Sequence, residues 1–207
     1  MRRYNGFDPE PLFPPLGGDT SRFRTEEYGD FIFYPSRVTP IKRQLLAIQA
    51  MRYTKSGVRL VVAGRPDSVQ FGHEIRAYVR EHDLEDKVDL RLGWLDEADK
   101  ADLLARCLAL AYLPLDEDSY GYPSLEASHS SKAIVTTTDS GGALEFVRHG
   151  KEGLVSAPSP QELAEIFDEL YEDRARTELM GTRSWARRAE LNITWSHVVR
   201  RLVGEDA

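Results

Sequence analysis

Cysteine is almost absent from this sequence. Cys107 is the one thiol in 207 residues, so no disulfide can form within the chain and a thiolate zinc site lacks its ligand set. Long apolar runs are missing as well. Arg2 and Arg3 follow Met1 without the apolar stretch a secretion signal needs, and no run is long enough to span a bilayer. Positive charge is in deficit: 34 acidic against 27 basic residues leave a net charge of -7, which argues against a general nucleic-acid binder. There is no G-x-G-x-x-G and no G-x-x-x-x-G-K-[ST], so neither a dinucleotide fingerprint nor a P-loop is present. The 5 histidines are scattered, and none pairs at metal-ligand spacing. These absences leave a soluble protein, expected in the cytoplasm, with no metal and no nucleic-acid partner.

What is present is enough for one core. With 41% hydrophobic and 10% aromatic residues, the chain can bury a domain-sized interior without staples. The first 28 residues stand apart. Pro9, Pro11, Pro14 and Pro15 with Gly6, Gly17 and Gly18 leave no apolar period, as in a linker or extended arm. Residues 29–207 are expected to form the folded domain.

Within it, short apolar runs alternate with helical patterns. The expected strands are Phe31–Tyr34, Arg59–Ala63, Val88–Leu92, Leu108–Tyr112, Ala133–Thr136 and Gly153–Val155, each bounded by turn formers, as strands buried on both faces are. Thr39-Pro40 reads as an N-cap with proline at the first helical position, followed by Ile41, Leu45 and Ile48 on one face. Asp96 caps Glu97–Arg106, with Leu103 and Leu104 inward. Ser159-Pro160-Gln161-Glu162 is a capping box opening a helix that carries Leu163, Ile166, Phe167 and Leu170. The last 35 residues read as helix without a strand. Strand-helix alternation implies right-handed βαβ units, hence a doubly wound α/β domain with a six-stranded parallel sheet.

In the common strand order 3-2-1-4-5-6, ligands bind beside the reversal between strands 1 and 4. The loops after strands 1, 4 and 5 therefore matter most. The first carries Arg37 and Lys42, two cations over a helix N-terminus, which suits a diphosphate and equally suits a solvated surface. The second carries Asp118 and Glu126, with Tyr120, Gly121 and Pro123 between them; two carboxylates there can accept bonds from ribose and hexose hydroxyls. The third carries Gly141-Gly142, which permits close backbone approach ahead of another helix N-terminus. Each anion- or sugar-binding signal is weak alone; their convergence on three loops expected to be adjacent is what strengthens them. Trp94, after strand 3, reads as packing, with a wall for a base as the other option, and His129 as scattered, with an approach to Glu126 as the other option. Cys107 reads as buried packing. The C-terminal arginines interleave with acids as on a solvated face, a peripheral membrane contact being the other option.

Four ordered motifs carry a family resemblance. Arg37 to Lys42 has the R-x4-K spacing, Asp118 to Glu126 resembles E-x7-E, Thr138-Asp139-Ser140-Gly141-Gly142 through Glu145 and Val147 resembles TD-x-GG-x-x-E-x-V, and Gly150 to Val155 matches the G-x-x-G-L-V run after it. Together they resemble the C-terminal, donor-binding half of a family 4 retaining glycosyltransferase with the GT-B fold, over roughly residues 30–195. The resemblance implies transfer of a hexose from a UDP- or GDP-sugar to a glycan or lipid-linked acceptor, as in polysaccharide biosynthesis. It implies that Arg37 and Lys42 hold the diphosphate and neutralise the leaving group, and that Glu126 binds the ribose. Asp118 then touches the transferred sugar, with Tyr120 and Gly121 beside it and Gly141 and Gly142 bordering the diphosphate. Asp118 stands where the family has glutamate, one methylene and on the order of 1.5 Å shorter; Glu117 takes its place if the register slips by one. No metal or other cofactor is implied, and no nucleophile is identifiable. Such enzymes hold the acceptor on an N-terminal Rossmann-like domain, so this length is expected to be half of one, with peripheral attachment to the inner face of the membrane through its acceptor as an option. A non-catalytic nucleotide-sugar-binding subunit and a fragment of a GT-B sugar-nucleotide epimerase are the alternatives.

Overall fold

The computed structural model describes residues 11–117 and 119–204. Six strands, β1 (Phe31–Pro35), β2 (Arg59–Ala63), β3 (Val88–Arg91), β4 (Ala109–Ala111), β5 (Ala133–Thr137) and β6 (Gly153–Ser156), form one sheet in the order β3-β2-β1-β4-β5-β6. Every pair is parallel, with Phe33 opposite Val61 on one side and Leu110 on the other. The chain thus doubles back between β1 and β4, as the strand pattern predicts.

The helices are α1 (Gln44–Ala50), α2 (Val69–Glu81), α3 (Glu97–Arg106), α4 (Tyr122–His129), α5 (Ala143–Phe146), α6 (Pro160–Glu172), α7 (Arg174–Glu190) and α8 (Trp195–Val203). Their starts follow local chemistry. Asp96 accepts from the Asp99 amide at 2.7 Å, and Ser159 accepts from the Glu162 amide at 3.4 Å, each satisfying a helix N–H that has no partner within the helix. Leu163, Phe167 and Leu170 on α6 are fully buried, as their spacing requires.

Three expectations need correction. The helix read from Pro40 does not run on: Pro40–Lys42 is a single 3-10 turn, capped by Thr39, and Arg43 in the left-handed region (φ 56°) separates it from α1. Ile41 is consequently half exposed, at 53%, rather than part of a buried stripe. β3 is not buried on both faces, because it is an edge strand that turns Asp89 and Arg91 to solvent. The helix after Gly142 is only four residues long, too short to present a substantial dipole.

Residues 11–28 run without helix or strand along the domain. Phe13, Leu16 and Phe23 pack against the core, and the amides of Glu26 and Glu27 bond to the Ala105 carbonyl at 3.0 and 3.2 Å. Lys132, fully buried, donates to the Glu27 carbonyl and lies 4.0 Å from the centre of the Tyr28 ring.

Candidate functional site

The three loops at the carboxyl ends of β1, β4 and β5 are stitched together. The Leu115 amide donates to the Ile41 carbonyl at 2.9 Å, Asp116 to the Asp139 carbonyl at 2.9 Å, and Gly142 to the Glu117 carbonyl at 2.6 Å. Tyr34, on β1, is fully buried between two of them: its hydroxyl donates to the Lys42 carbonyl and accepts from the Leu113 amide at 2.8 Å.

Arg43 is the main fastener. Its guanidinium takes the Leu113 carbonyl at 2.7 Å, the Pro114 carbonyl at 2.8 Å and the Thr137 hydroxyl at 2.6 Å. It also grips Asp139 through two bonds of 2.8 Å, holding that carboxyl below the ordinary aspartate range. The left-handed backbone at Arg43 aims this side chain across the sheet reversal, a cost of order 1 kcal/mol that these five bonds outweigh. The Lys42-Arg43 pair in the sequence gives no hint that the second cation is structural and the first turns elsewhere.

Lys42 turns to the β4 loop. Its ammonium forms an ion pair with Glu117 and donates to the Tyr112 hydroxyl at 3.0 Å. Burial works against the charge, but the bonds to Glu117 and Tyr112 outweigh it and hold the Lys42 pKa above the ordinary lysine value. Arg37 lies in the loop directly after β1, 69% exposed along its side chain, with Asp67 3.3 Å away. Buried Gln44 shapes that loop, donating to the Ser36 hydroxyl and the Arg37 carbonyl at 3.0 Å each.

Glu126 sits in the first turns of α4, 91% buried, with Lys100 of α3 2.7 Å from its carboxylate. Burial raises the Glu126 pKa, and the Lys100 ammonium opposes that rise without cancelling it. Sequence reading did not single out Lys100; its place on α3 relative to α4 is set only by the fold.

The glycines are used structurally. Gly121 has φ 76°, and a Cβ there would overlap the ring of Tyr112. Gly141 has φ 62° and receives the backbone of Glu117 where a side chain would stand. The Gly142 amide is already bonded to Glu117, so this turn seats the β4 loop rather than offering a free row of amides. Tyr120 turns inward: its hydroxyl donates to the Pro14 carbonyl, and its ring meets Phe13 and Phe146. Asp118 lies outside the described residues. Trp94 stands on the loop between β3 and α3, 91% exposed. His129 is at the far end of α4 from Gly121, with the Arg188 guanidinium 2.7 Å from its ring and Phe23 beside it. Cys107 is buried, and burial pushes its thiol up to about 12. Among the described residues no group of three histidine, cysteine or acidic side chains is arranged to hold a metal, and no helix is long and apolar enough to cross a membrane.

The fold has counterparts among solved structures. The family model described as glycosyl transferases group 1 matches residues 19–186. Over 132 residues the chain is 30% identical to the alpha-1,3/1,6-mannosyltransferase ALG2 of Dictyostelium discoideum, an alignment taking in 61% of this chain and 31% of that protein. Anabaena HepE, solved with UDP and glucose, superposes with a TM-score of 0.79 at 23% identity, covering 91% of this chain and 55% of that one. The C-terminal domain of LpcC, a glycosyl transferase group 1 family protein from Francisella tularensis, gives 0.69 at 19% identity, covering 86% and 94%. The chain therefore spans about a third of its curated relative and about half of HepE. The structural likenesses establish a shared doubly wound fold, that of one half of a GT-B glycosyltransferase. With a family model matched over most of its length, this chain belongs to the glycosyl transferases of group 1.

Proposed function

We propose that this chain binds a nucleotide-diphosphate hexose and presents it for transfer, with retention of anomeric configuration, to an acceptor held by a second domain. The observation that carries the reading is the flanking of the β1–β4 reversal by Lys42 on one side and Glu126 on the other. An ammonium fixed at the carboxyl edge of the sheet suits phosphate oxygens, and a buried carboxylate suits vicinal ribose hydroxyls. Arg37, exposed on the same edge, adds a second cation to the diphosphate. As the glycosidic bond breaks, negative charge gathers on the leaving diphosphate, and two cations already in place stabilise it without reorganisation. Asp118, eight positions before Glu126 in the sequence, is the residue we assign to the hexose. The two cations supply the neutralisation, so transfer proceeds without a metal or other cofactor.

The relatives support a sugar nucleotide as donor: HepE was solved with UDP-glucose and TarM of S. aureus with UDP. We infer a UDP- or GDP-sugar donor and action at the cytoplasmic side of a membrane or in the cytoplasm. The test is calorimetric titration of the chain with UDP, GDP, ADP and their sugars. Binding of one nucleoside diphosphate in the micromolar to millimolar range is expected, with Lys42→Ala and Glu126→Ala both weakening it. A folded chain that binds none of them refutes the reading.

A further inference from the structure

We propose that Tyr112 and Lys42 together form an oxyanion subsite, that the carboxylate of Glu117 stands in it, and that a donor phosphate oxygen takes the subsite by displacing Glu117. Tyr112 is then a phosphate ligand and Glu117 an internal competitor of the donor. The proposal rests on the donor-binding reading above.

Glu117 Oε2 is bound by the Lys42 ammonium and lies 3.2 Å from the Tyr112 hydroxyl, whose oxygen is 3.0 Å from Lys42 Nζ. A carboxylate only accepts, so the phenolic proton goes to Glu117, and the phenolic oxygen accepts from Lys42. One anionic oxygen therefore sits on two donors, one charged and one neutral. A phosphate oxygen asks for the same set.

The donors are the more buried groups: the Lys42 side chain is 14% exposed and that of Glu117 27%. Tyr112 is 2% exposed at the end of β4, and its ring is held under Gly121, where any Cβ would overlap it. Burial keeps its phenol protonated well above neutrality, so it stays a donor. The Lys42 main chain is held by the hydroxyl of Tyr34. Beyond Lys42 and Tyr112, Glu117 is tied through its backbone, its carbonyl accepting from the Gly142 amide at 2.6 Å. Its side chain is 27% exposed, and turning it to solvent breaks none of the loop's backbone bonds. A diphosphate carries more charge than a carboxylate and wins the subsite at sufficient concentration.

The two residues predict opposite signs, which separates this arrangement from a merely structural one. Tyr112→Phe and Glu117→Gln are near-isosteric and should leave the melting temperature close to that of the parent chain. Calorimetry at pH 7 with UDP, with inorganic pyrophosphate and with uridine supplies the readout. Tyr112→Phe should weaken UDP and pyrophosphate about tenfold, and Glu117→Gln should tighten both about tenfold; uridine should be unmoved by either. Weaker UDP binding in Glu117→Gln, or unchanged binding in both variants, overturns the proposal while leaving donor binding intact. Should Tyr112→Phe fail to fold, the Glu117→Gln arm still decides, because removing a competitor can only tighten. A parent chain that binds no nucleoside diphosphate and no pyrophosphate overturns the donor-binding reading, and this proposal with it.

Discussion

Replacing Arg43 by alanine is the most informative perturbation of the scaffold. Arg43 joins the β1 loop to the ends of β4 and β5, with its side chain 15% exposed. The Asp139 carboxylate it grips is 37% exposed, so that ion pair is worth only about 1 kcal/mol after screening. The three bonds to Leu113, Pro114 and Thr137 are made by a charged donor to buried neutral acceptors, at about 1 kcal/mol each. Alanine keeps the left-handed strain and loses all of these, so the cost should be about 3–4 kcal/mol. For a domain of this size that is a fall of about 6–16 °C in Tm. Urea unfolding followed by tryptophan fluorescence measures it directly. Asp139→Asn should cost only about 1 kcal/mol, because the carbonyl and hydroxyl bonds survive, and Arg43→Lys should recover less than half of the loss. An Arg43→Ala variant within 1 kcal/mol of the parent, or an Asp139→Asn variant as unstable as Arg43→Ala, would refute the claim that Arg43 fastens the three loops.

Two further predictions concern protonation. Burial raises the Glu126 pKa, so the charged form needed to accept ribose hydroxyls is lost earlier than usual as pH falls; nucleoside affinity should decline on the acid side at a higher pH than for an ordinary glutamate and flatten in Glu126→Gln, as calorimetry across a pH series would record. His129 is held down to about 4 by burial and by the nearby Arg188 charge, against about 6.5 unfolded. A depressed pKa contributes stability above the unfolded value, so this contribution is intact at pH 7 and disappears as pH falls from about 6.5 to 4. Its ceiling is about 3 kcal/mol, less for a side chain that water partly reaches, and His129→Gln should remove much of the difference between urea unfolding at pH 7 and at pH 4.5.

The sheet order was legible because each strand is a short apolar run with turn formers at both ends, and parallel strands joined by helices leave few topologies. Helix starts at Asp96 and Ser159 were legible for the same local reason. The site was legible at the level of its loops. Glu126 and Lys42 fall where strand order puts them, but the geometry around them depends on contacts of long sequence separation. Arg43 has an ordinary side chain in an unusual backbone state, and nothing in Thr39-Pro40-Ile41-Lys42-Arg43-Gln44 announces a left-handed residue in place of glycine. Tyr112 reads as the last residue of a buried strand; only the approach of Lys42 and Glu117 makes its hydroxyl chemical. Tyr120 lies beside Gly121 in sequence yet turns into the core, because the arm at Phe13 and Pro14 meets it there. The apolar residues of that arm follow no period, as expected of a segment without regular structure.

On the proposed reading, Lys42 and Glu126 hold different parts of one ligand. Calorimetry of UDP, inorganic pyrophosphate and uridine against Lys42→Ala and Glu126→Ala tests it most directly. A crossed pattern is expected: Lys42→Ala loses pyrophosphate and spares uridine, Glu126→Ala loses uridine and spares pyrophosphate, and UDP weakens in both. Equal effects of both substitutions on all three ligands, or none on any, would contradict it.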